Sequence, residues 1–201
     1  MPPISRGFFG RPRKPDEEGR VPPGQYVVPD FPVLSAGPTP RVTTADWTLT
    51  LDGLLDETVS WTWDEFNALE QETFTVDIHC VTKWSKLGTS WTGVSLDTLL
   101  EHAPTEAGYL TAWSDGGYTT NLALEDVTYG KAWIVHTFDG EPLEPEHGGP
   151  VRMLVPHLYF WKSAKWVRGI TFTEQDEPGF WEAAGYHNHG DPWLEQRYWG
   201  D

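Results

Sequence analysis

The sequence predicts an α+β domain of mixed β-sheets with two or three short helices. The 20 Gly and 17 Pro are scattered between short apolar runs, which favours frequent turns over long helices. Period-two alternation of apolar and polar residues recurs along the chain, as it does in half-buried strands. Helix-start signals at the head of helically spaced apolar residues are few, at Thr62 and Ser95.

In chain order, residues 1–28 are rich in Pro, Gly, Arg and Glu without periodicity and read as a loosely ordered arm, leaving 29–201 as one domain. The more apolar Phe31 to Pro40 is expected to lie across that domain. Trp47 to Leu51 alternates up to Asp52-Gly53, and Thr58 to Trp61 resumes, giving two paired strands. Thr62-x-x-Glu65 has the capping-box pattern, with Trp63, Phe66 and Leu69 at helical spacing behind it. Phe74 to His79 reads as a strand that delivers Cys80 into a loop. Ser95 caps a helix carrying Leu96, Leu99 and Leu100. Tyr109 to Trp113, Tyr118 to Leu122, Trp133 to Phe138, Val151 to Val155 and Trp166 to Thr173 read as further strands, and no internal repeat is found.

The formal net charge is −16, so most of the surface repels phosphate backbones and anionic lipid, and neither a nucleic-acid role nor a membrane role is expected. Cations nevertheless gather between Arg152 and Arg168, and six of the seven His lie beyond residue 100, which suggests a site for a small anion. The single Cys excludes an internal disulfide, and no export signal or long apolar run is found. The expectation is therefore a soluble, cytoplasmic monomer.

Two constellations carry chemistry. The first is His79-Cys80-Val81-Thr82-Lys83-Trp84-Ser85, followed by Trp91-Thr92-Gly93-Val94. A lone Cys is more often a small buried hydrophobe. This one follows a strand, and His79, Lys83 and Lys86 are near in sequence, a setting that favours the thiolate and hence a soft metal. The second is His147-Gly148-Gly149-Pro150-Val151-Arg152 with Lys162-Ser163-Ala164-Lys165 downstream. Its two glycines permit close backbone approach, and His147, Arg152, Ser163 and Lys165 offer donors but few acceptors, as a phosphate requires.

These residues resemble the oxidoreductase molybdopterin-binding domain shared by sulfite oxidases and the catalytic subunit of the periplasmic methionine sulfoxide reductase. Cys80 through Trp84-Ser85 to Trp91-x-Gly93-Val94-x-Leu96-x-x-Leu99-Leu100 is similar to the reductase's cysteine segment. His147-Gly-x-Pro-Val-Arg152 resembles the sulfite oxidase pterin loop, and Lys162-Ser-x-Lys165 resembles a reductase motif. The resemblance implies a molybdenum-molybdopterin cofactor with Cys80 as metal ligand. It implies contacts to the pterin from Arg152, Ser163, Ala164, Lys165 and His147, from Ser114 or Asp115, and from Leu34 and Ser35. Trp181 and Tyr186 reproduce the sulfite oxidase spacing of a tryptophan and a tyrosine at the metal's substrate face, which implies a catalytic Tyr186, with His187 or Lys83 as lesser candidates.

The implied reaction is oxygen-atom transfer on a small oxyanion or sulfoxide-type substrate. The chain has no haem motif and no iron-sulfur Cys set, so a separate electron-transfer protein is the expected partner. Departures from the family bear on the substrate. Lys83 and Lys86 stand where sulfite oxidases carry a further Arg after the cysteine, and neither an immunoglobulin-like domain nor a twin-arginine signal is expected from these 201 residues. The alternatives are a zinc hydrolase using His187-x-His189 with Asp191 or His157, and a non-catalytic binding module on the same fold. A thiol enzyme pairing Cys80 with His79 is disfavoured, because adjacent strand residues point to opposite faces.

Overall fold

The computed structural model describes residues 17–201. Short strands build two mixed sheets. The first carries β1 (Tyr26–Val27), β4 (Glu72–His79), β5 (Trp84–Ser95), β8 (Trp133–Phe138), β9 (Glu141–Pro142) and β10 (Arg152–Leu154). Its main order is β1-β5-β8-β10, with β4 also on β5 and β9 on β8. The second has the order β3-β2-β11-β6-β7, from β2 (Thr48–Gly53), β3 (Val59–Thr62), β6 (Tyr109–Ser114), β7 (Thr119–Ala123) and β11 (Val167–Thr173). The helices α1 (Trp63–Ala68), α2 (Leu96–His102) and α3 (Phe180–Ala183) are short, and the fold is α+β as expected.

The capping box is present in full: the Thr62 hydroxyl accepts from Glu65 N, and the Glu65 carboxylate accepts from Thr62 N at 2.8 Å. Ser95 caps α2 through Thr98 N at 3.1 Å. Period-two alternation sorts side chains between two cores. Ile134 and Met153 join Leu49, Leu51, Leu110, Ile170 and Phe172 between the sheets. Their strand neighbours Trp133, Val135 and Leu154 face the other way, with Ile78, Cys80, Trp84 and Trp91, into an aromatic cluster. The first sheet is thus buried on both faces, and Cys80 lies on the aromatic one.

β5, the longest strand and the centre of its sheet, is not expected from the sequence. Its pattern slips where register shifts interrupt the ladders with β4 and β8. Gly93 sits at one shift, where a Cβ would lie 2.1 Å from Ile134 O, so only glycine lets β5 and β8 close.

Of the expected N-terminal arm, residues 1–16 lie outside the described residues. The remainder is packed rather than loose. Val21 and Gln25 are buried, Arg20 bonds both Asp77 carboxylate oxygens, and β1 runs parallel to the start of β5. Backbone bonds to Lys83 and Ser85, at 2.9 Å each, hold it there, so the packed chain reaches back at least to Val21. Phe31 inserts among Trp84, Trp91, Phe138 and Phe160, so the segment after β1 lies across the domain.

Candidate molybdopterin site

Cys80 opens a tight connection between β4 and β5. Its backbone N donates to Trp84 O and its carbonyl accepts from Lys83 N, both at 2.9 Å, and Lys83 takes the left-handed φ of 79° that this turn requires. Gln25 Nε2 donates to the Cys80 carbonyl at 3.0 Å, and Thr82 Oγ1 donates to Cys80 Sγ at 3.1 Å. Burial pushes the thiol's pKa up, while the Thr82 hydroxyl and backbone amide and the Arg197 charge act against that rise.

The expectation that Lys83 and Lys86 favour the thiolate is corrected here. Lys86 Nζ is spent on Pro29 O at 2.7 Å, and the cations coupled to Cys80 are Arg152 and Arg197, the latter with its Nη1 donating to Val81 O at 2.6 Å. His79 is buried and bonded to Ser85 Oγ at 2.8 Å, and burial drives it down to about 4, so it is neutral at pH 7. It contacts Trp193 while Cys80 lies in the aromatic cluster, which separates the two as the alternation expects.

The second constellation folds into a cradle. β10 carries Arg152, which is fully buried. Its Nη1 donates to His147 O and its Nη2 to Ser163 O, both at 2.8 Å, and its guanidinium lies 4.0 Å above the Phe160 ring. Burial pulls Arg152 down to about 9, which leaves it charged at neutral pH. Ser163 Oγ accepts from Val155 N at 2.9 Å, and Ala164 O accepts from Met153 N at 2.8 Å. Lys165 Nζ donates to Leu34 O at 2.8 Å and Glu146 O at 2.6 Å, and burial, then the Arg152 charge, brings it to about 8. His147 stacks on Phe31 at 4.0 Å, and burial with Arg152 and Lys165 keeps it low in pKa.

Gly148 does not open space for a ligand, as the sequence suggested. Its φ is +110°, and a Cβ there would press on Arg152 and Lys165 at 3.1 Å, so the glycine lets the cradle's own side chains close up. Leu34 reaches the cradle through its carbonyl. Ser35 is exposed, with its hydroxyl on Gly37 O. Ser114 is buried with its hydroxyl unpartnered, and Asp115 follows it, its N donating to Trp166 O at 3.0 Å and its carboxylate 3.6 Å from Arg168.

Residues of the C-terminal segment close the Cys80 side. Tyr186 packs against Trp181, Trp161 and Tyr198, at 5.0, 5.2 and 5.4 Å. Burial, the neighbouring Tyr198 and the Cys80 charge raise the pKa of its phenol. Tyr118, Tyr159, Gln25 and Arg197 carry no mark in the sequence motifs, and Thr82 stands within the Cys80 motif without an assigned role. Tyr118 Oη donates to Trp161 O at 2.6 Å and feels both Arg152 and Tyr186, which places it between the cradle and the segment. No spacing marks Tyr118, Tyr159, Gln25 or Arg197, because only tertiary contacts gather them.

The histidines of the zinc alternative are structural. His187 Nδ1 accepts from the backbone of His189 and Gly190 at 3.1 Å each. His189 uses both ring nitrogens, on Asp126 at 3.2 Å and Gln196 at 3.1 Å, and His157 bonds the other Asp126 oxygen at 3.2 Å. Asp191 accepts from Trp193 N at 2.7 Å. Among the described residues no three His, Cys, Asp or Glu converge as metal ligands.

The polar groups that the cradle leaves unsatisfied suit a pterin phosphate. Arg152 Nε, His147 Nδ1, Ser114 Oγ and Trp84 Nε1 are buried without partners. Unpaired buried polar atoms are costly, and those of His147, Arg152 and Trp84 belong to side chains packed on Phe31 and Phe160, next to the connection that holds the soft Cys80 sulfur. A polar, anionic group with a metal at one end fits that arrangement.

The family model for the oxidoreductase molybdopterin-binding domain matches residues 36–181. The chain belongs to this family. It is 45% identical over 197 residues to the uncharacterized oxidoreductase YuiH of Bacillus subtilis, covering 96% of this chain and all of that one. It is 28% identical over 152 residues to the putative protein-methionine-sulfoxide reductase subunit YedZ1 of Azospira oryzae, covering 75% and 58% of the two chains. Identity to the NADH nitrate reductase of Volvox carteri is 30% over 188 residues, 74% of this chain and 21% of the longer enzyme. Among solved structures, sulfane dehydrogenase SoxCD from Paracoccus pantotrophus superposes with a TM-score of 0.63 at 21% identity, over 69% of this chain and 41% of that one, and shares the fold. This domain is an oxidoreductase, and its cofactor is molybdenum-molybdopterin. Among the described residues no helix is long and apolar enough to cross a membrane.

Proposed function

We propose that the chain catalyses oxygen-atom transfer on a small oxyanion or sulfoxide-type substrate, with the Cys80 thiolate as the protein's ligand to molybdenum and a separate protein as electron partner. One observation carries the reading. The chain's single thiol is held by backbone and Gln25 bonds beside a cradle whose buried donors lack acceptors. A soft thiolate suits a heavy transition metal, and cations with unfilled N–H and O–H groups suit a phosphate-bearing pterin.

In this reading Arg152, Lys165, His147, Ser163 and Ala164 hold the pterin and its phosphate, with Ser114 and Asp115 at its edge and the Leu34–Ser35 backbone at the rim. The bound cofactor supplies two-electron oxygen-atom exchange, and the protein supplies orientation, access and charge. Tyr186, its phenol kept protonated, donates a hydrogen bond to an oxygen at the substrate face, and its aromatic neighbours exclude water there. Electrons leave to another protein because one Cys and no haem-attachment motif give this chain no haem or iron–sulfur centre beside the molybdenum.

The test is molybdenum per chain, measured by plasma mass spectrometry after expression in a host that makes the cofactor. Near-stoichiometric metal is expected in the wild type. Cys80→Ser should remain folded, with altered or reduced metal and no turnover. Undiminished turnover in that variant would remove Cys80 from the metal, and a folded wild type without molybdenum would overturn the reading.

A further inference from the structure

We infer that the exposed end of the C-terminal segment, Trp193 to Trp199, is the docking surface for the electron partner, and that this partner is a protein whose redox group opens on a cationic rim. The inference rests on the reading of the chain as a molybdenum enzyme served by a separate electron carrier. It adds where that carrier docks and which charge it presents. The segment lies beyond position 181, where the family match ends.

Exposure, rigidity and position single out this segment. Of the ten large apolar side chains exposed among the described residues, four fall within seven positions, so the apolar surface is concentrated there rather than scattered. They are Trp193, Leu194, Tyr198 and Trp199, from 46% to 89% exposed. The backbone beneath them is fastened: Trp193 N donates to Asp191 Oδ1 and Tyr198 N to Asp201 Oδ2, both at 2.7 Å, and Trp199 N donates to Gly185 O at 2.9 Å. Rigid aromatic rings lose little entropy when a partner covers them, which is why Trp and Tyr are enriched where proteins meet. The segment also touches the Cys80 connection. Trp193 meets the His79 ring edge-on at 6.4 Å, Arg197 Nη1 bonds Val81 O at 2.6 Å, and the Tyr198 ring packs 5.4 Å from that of Tyr186. A protein seated on Tyr198 is therefore one ring removed from Tyr186. Electron transfer between proteins weakens steeply with distance, so a carrier docked here is well placed.

Charge fixes the sign of the partner. Residues 174–201 carry seven carboxylates against one Lys or Arg, whereas the whole chain carries 30 against 14, so the anionic excess is steeper here than elsewhere. Of these groups Glu182 is buried against Lys162, and the cation, Arg197, is buried too. Glu174, Asp176, Glu177, Asp191, Glu195 and Asp201 are left to set the potential at the surface. Apolar rings set among carboxylates match a carrier whose exposed redox edge is ringed by Lys or Arg, and they repel an acidic one.

The test uses the full chain, with mitochondrial cytochrome c, a basic protein with an exposed haem edge, as the probe and flavodoxin, an acidic carrier, as the counter-probe. Binding is read by isothermal titration calorimetry at low ionic strength. Cytochrome c should bind saturably and more weakly as salt is added, and flavodoxin should not bind. Trp199→Ser should weaken the affinity about tenfold and Glu195→Lys about fivefold. Two controls should leave it unchanged: Glu57→Lys, the same change of charge on the turn between β2 and β3, and Tyr129→Ser, which removes an exposed ring whose backbone is held by Asp97 of α2.

Absence of cytochrome c binding in the wild type overturns the proposal, as does tighter binding of flavodoxin. Equal weakening by Glu57→Lys and Glu195→Lys assigns the attraction to the charge of the whole chain and also overturns it, as does unchanged affinity in Trp199→Ser. If Glu195→Lys does not fold, Trp199→Ser decides, since that side chain is almost wholly exposed. A dimer in sedimentation that Trp199→Ser dissociates gives the surface to a second copy of the chain. Binding that appears only once Arg11, Arg13 and Lys14 are changed to Gln gives it to the chain's own N-terminus, and either result ends the proposal. Molybdenum content keeps the two readings apart. A molybdenum-loaded chain that ignores cytochrome c refutes the docking surface alone, and a chain that binds it through Trp199 but never holds molybdenum refutes the Cys80 assignment alone.

Discussion

In the cradle, Arg152 bonds His147 five residues before it and Ser163 eleven residues after it; at the Cys80 face, Arg197 reaches Val81 across 116. The cation-bearing core of the cradle is folded from residues 147–165, with Phe31 and Leu34 reaching it from the N-terminal segment, and the other side is gathered from Gln25, Thr82, Tyr118, Tyr159, Tyr186 and Arg197. The hydrogen bonds of Arg152 are thus set locally around β10. The Cys80 face exists only while the C-terminal segment stays docked, so the two sides should fail separately.

The largest expected effect tests that separation at the docking point. Glu182 Oε1 accepts from Lys162 Nζ at 2.7 Å, Trp161 Nε1 at 2.8 Å and Thr120 Oγ1 at 3.1 Å, and both charged side chains are at most 1% exposed. Glu182→Gln leaves the buried ammonium on the neutral oxygens of Asn121 and Asn188 without its paired carboxylate, and removing one member of a buried pair costs about 3–5 kcal/mol. The melting temperature should fall by about 10 °C, read by thermal unfolding. Hydrogen exchange should show residues 180–201 losing protection while residues 147–166 keep it. Uniform loss across both would merge the two regions into one cooperative unit.

The same division explains what could be read from the sequence. The capping box at Thr62 and Glu65 and the cap at Ser95 are local and appear as expected. The motif residues Arg152, Ser163, Ala164 and Lys165 do come together, because their positions are fixed by short-range geometry around β10. Neighbouring charge in sequence, by contrast, misled: Lys86 follows Cys80 by six residues, but its ammonium is spent on the Pro29 carbonyl. The strand β5 was hidden by register shifts, and Arg197 by distance along the chain. Long-range contacts leave no periodicity to read.

Lys165→Ala sharpens the comparison from the cradle side. It removes a cation that is held by Leu34 O and Glu146 O and is placed to meet the pterin phosphate. Loss of one charge-assisted contact should weaken cofactor retention by about 10- to 100-fold, seen as lower molybdenum per chain after gel filtration. Exchange protection of residues 180–201 should be unchanged. If the C-terminal segment loosens as well, the cradle and the docked segment are coupled and the division fails.

The smallest effect is graded by pH. Asp126 is gripped from two sides, by His157 of the body and His189 of the C-terminal segment, at 3.2 Å each. Burial opposes its charge, but bonds from both imidazoles hold its carboxyl well below the ordinary 3.8, and the bond to Asp126 raises His189 above 6.5. The signs then follow. The depressed Asp126 contributes stability above 3.8 that is lost as pH falls through its folded value. The raised His189 contributes stability in full below 6.5 that is lost as pH rises through its folded value. Both imidazoles are more than a third exposed, so solvent screening limits the clamp to about 1 kcal/mol. Asp126→Asn should therefore lower the melting temperature by about 2–4 °C at pH 6 and by much less at pH 9. A difference that stays constant over that range would mean that the segment is fastened by neutral hydrogen bonds, and that the Cys80 face is held equally well at every pH.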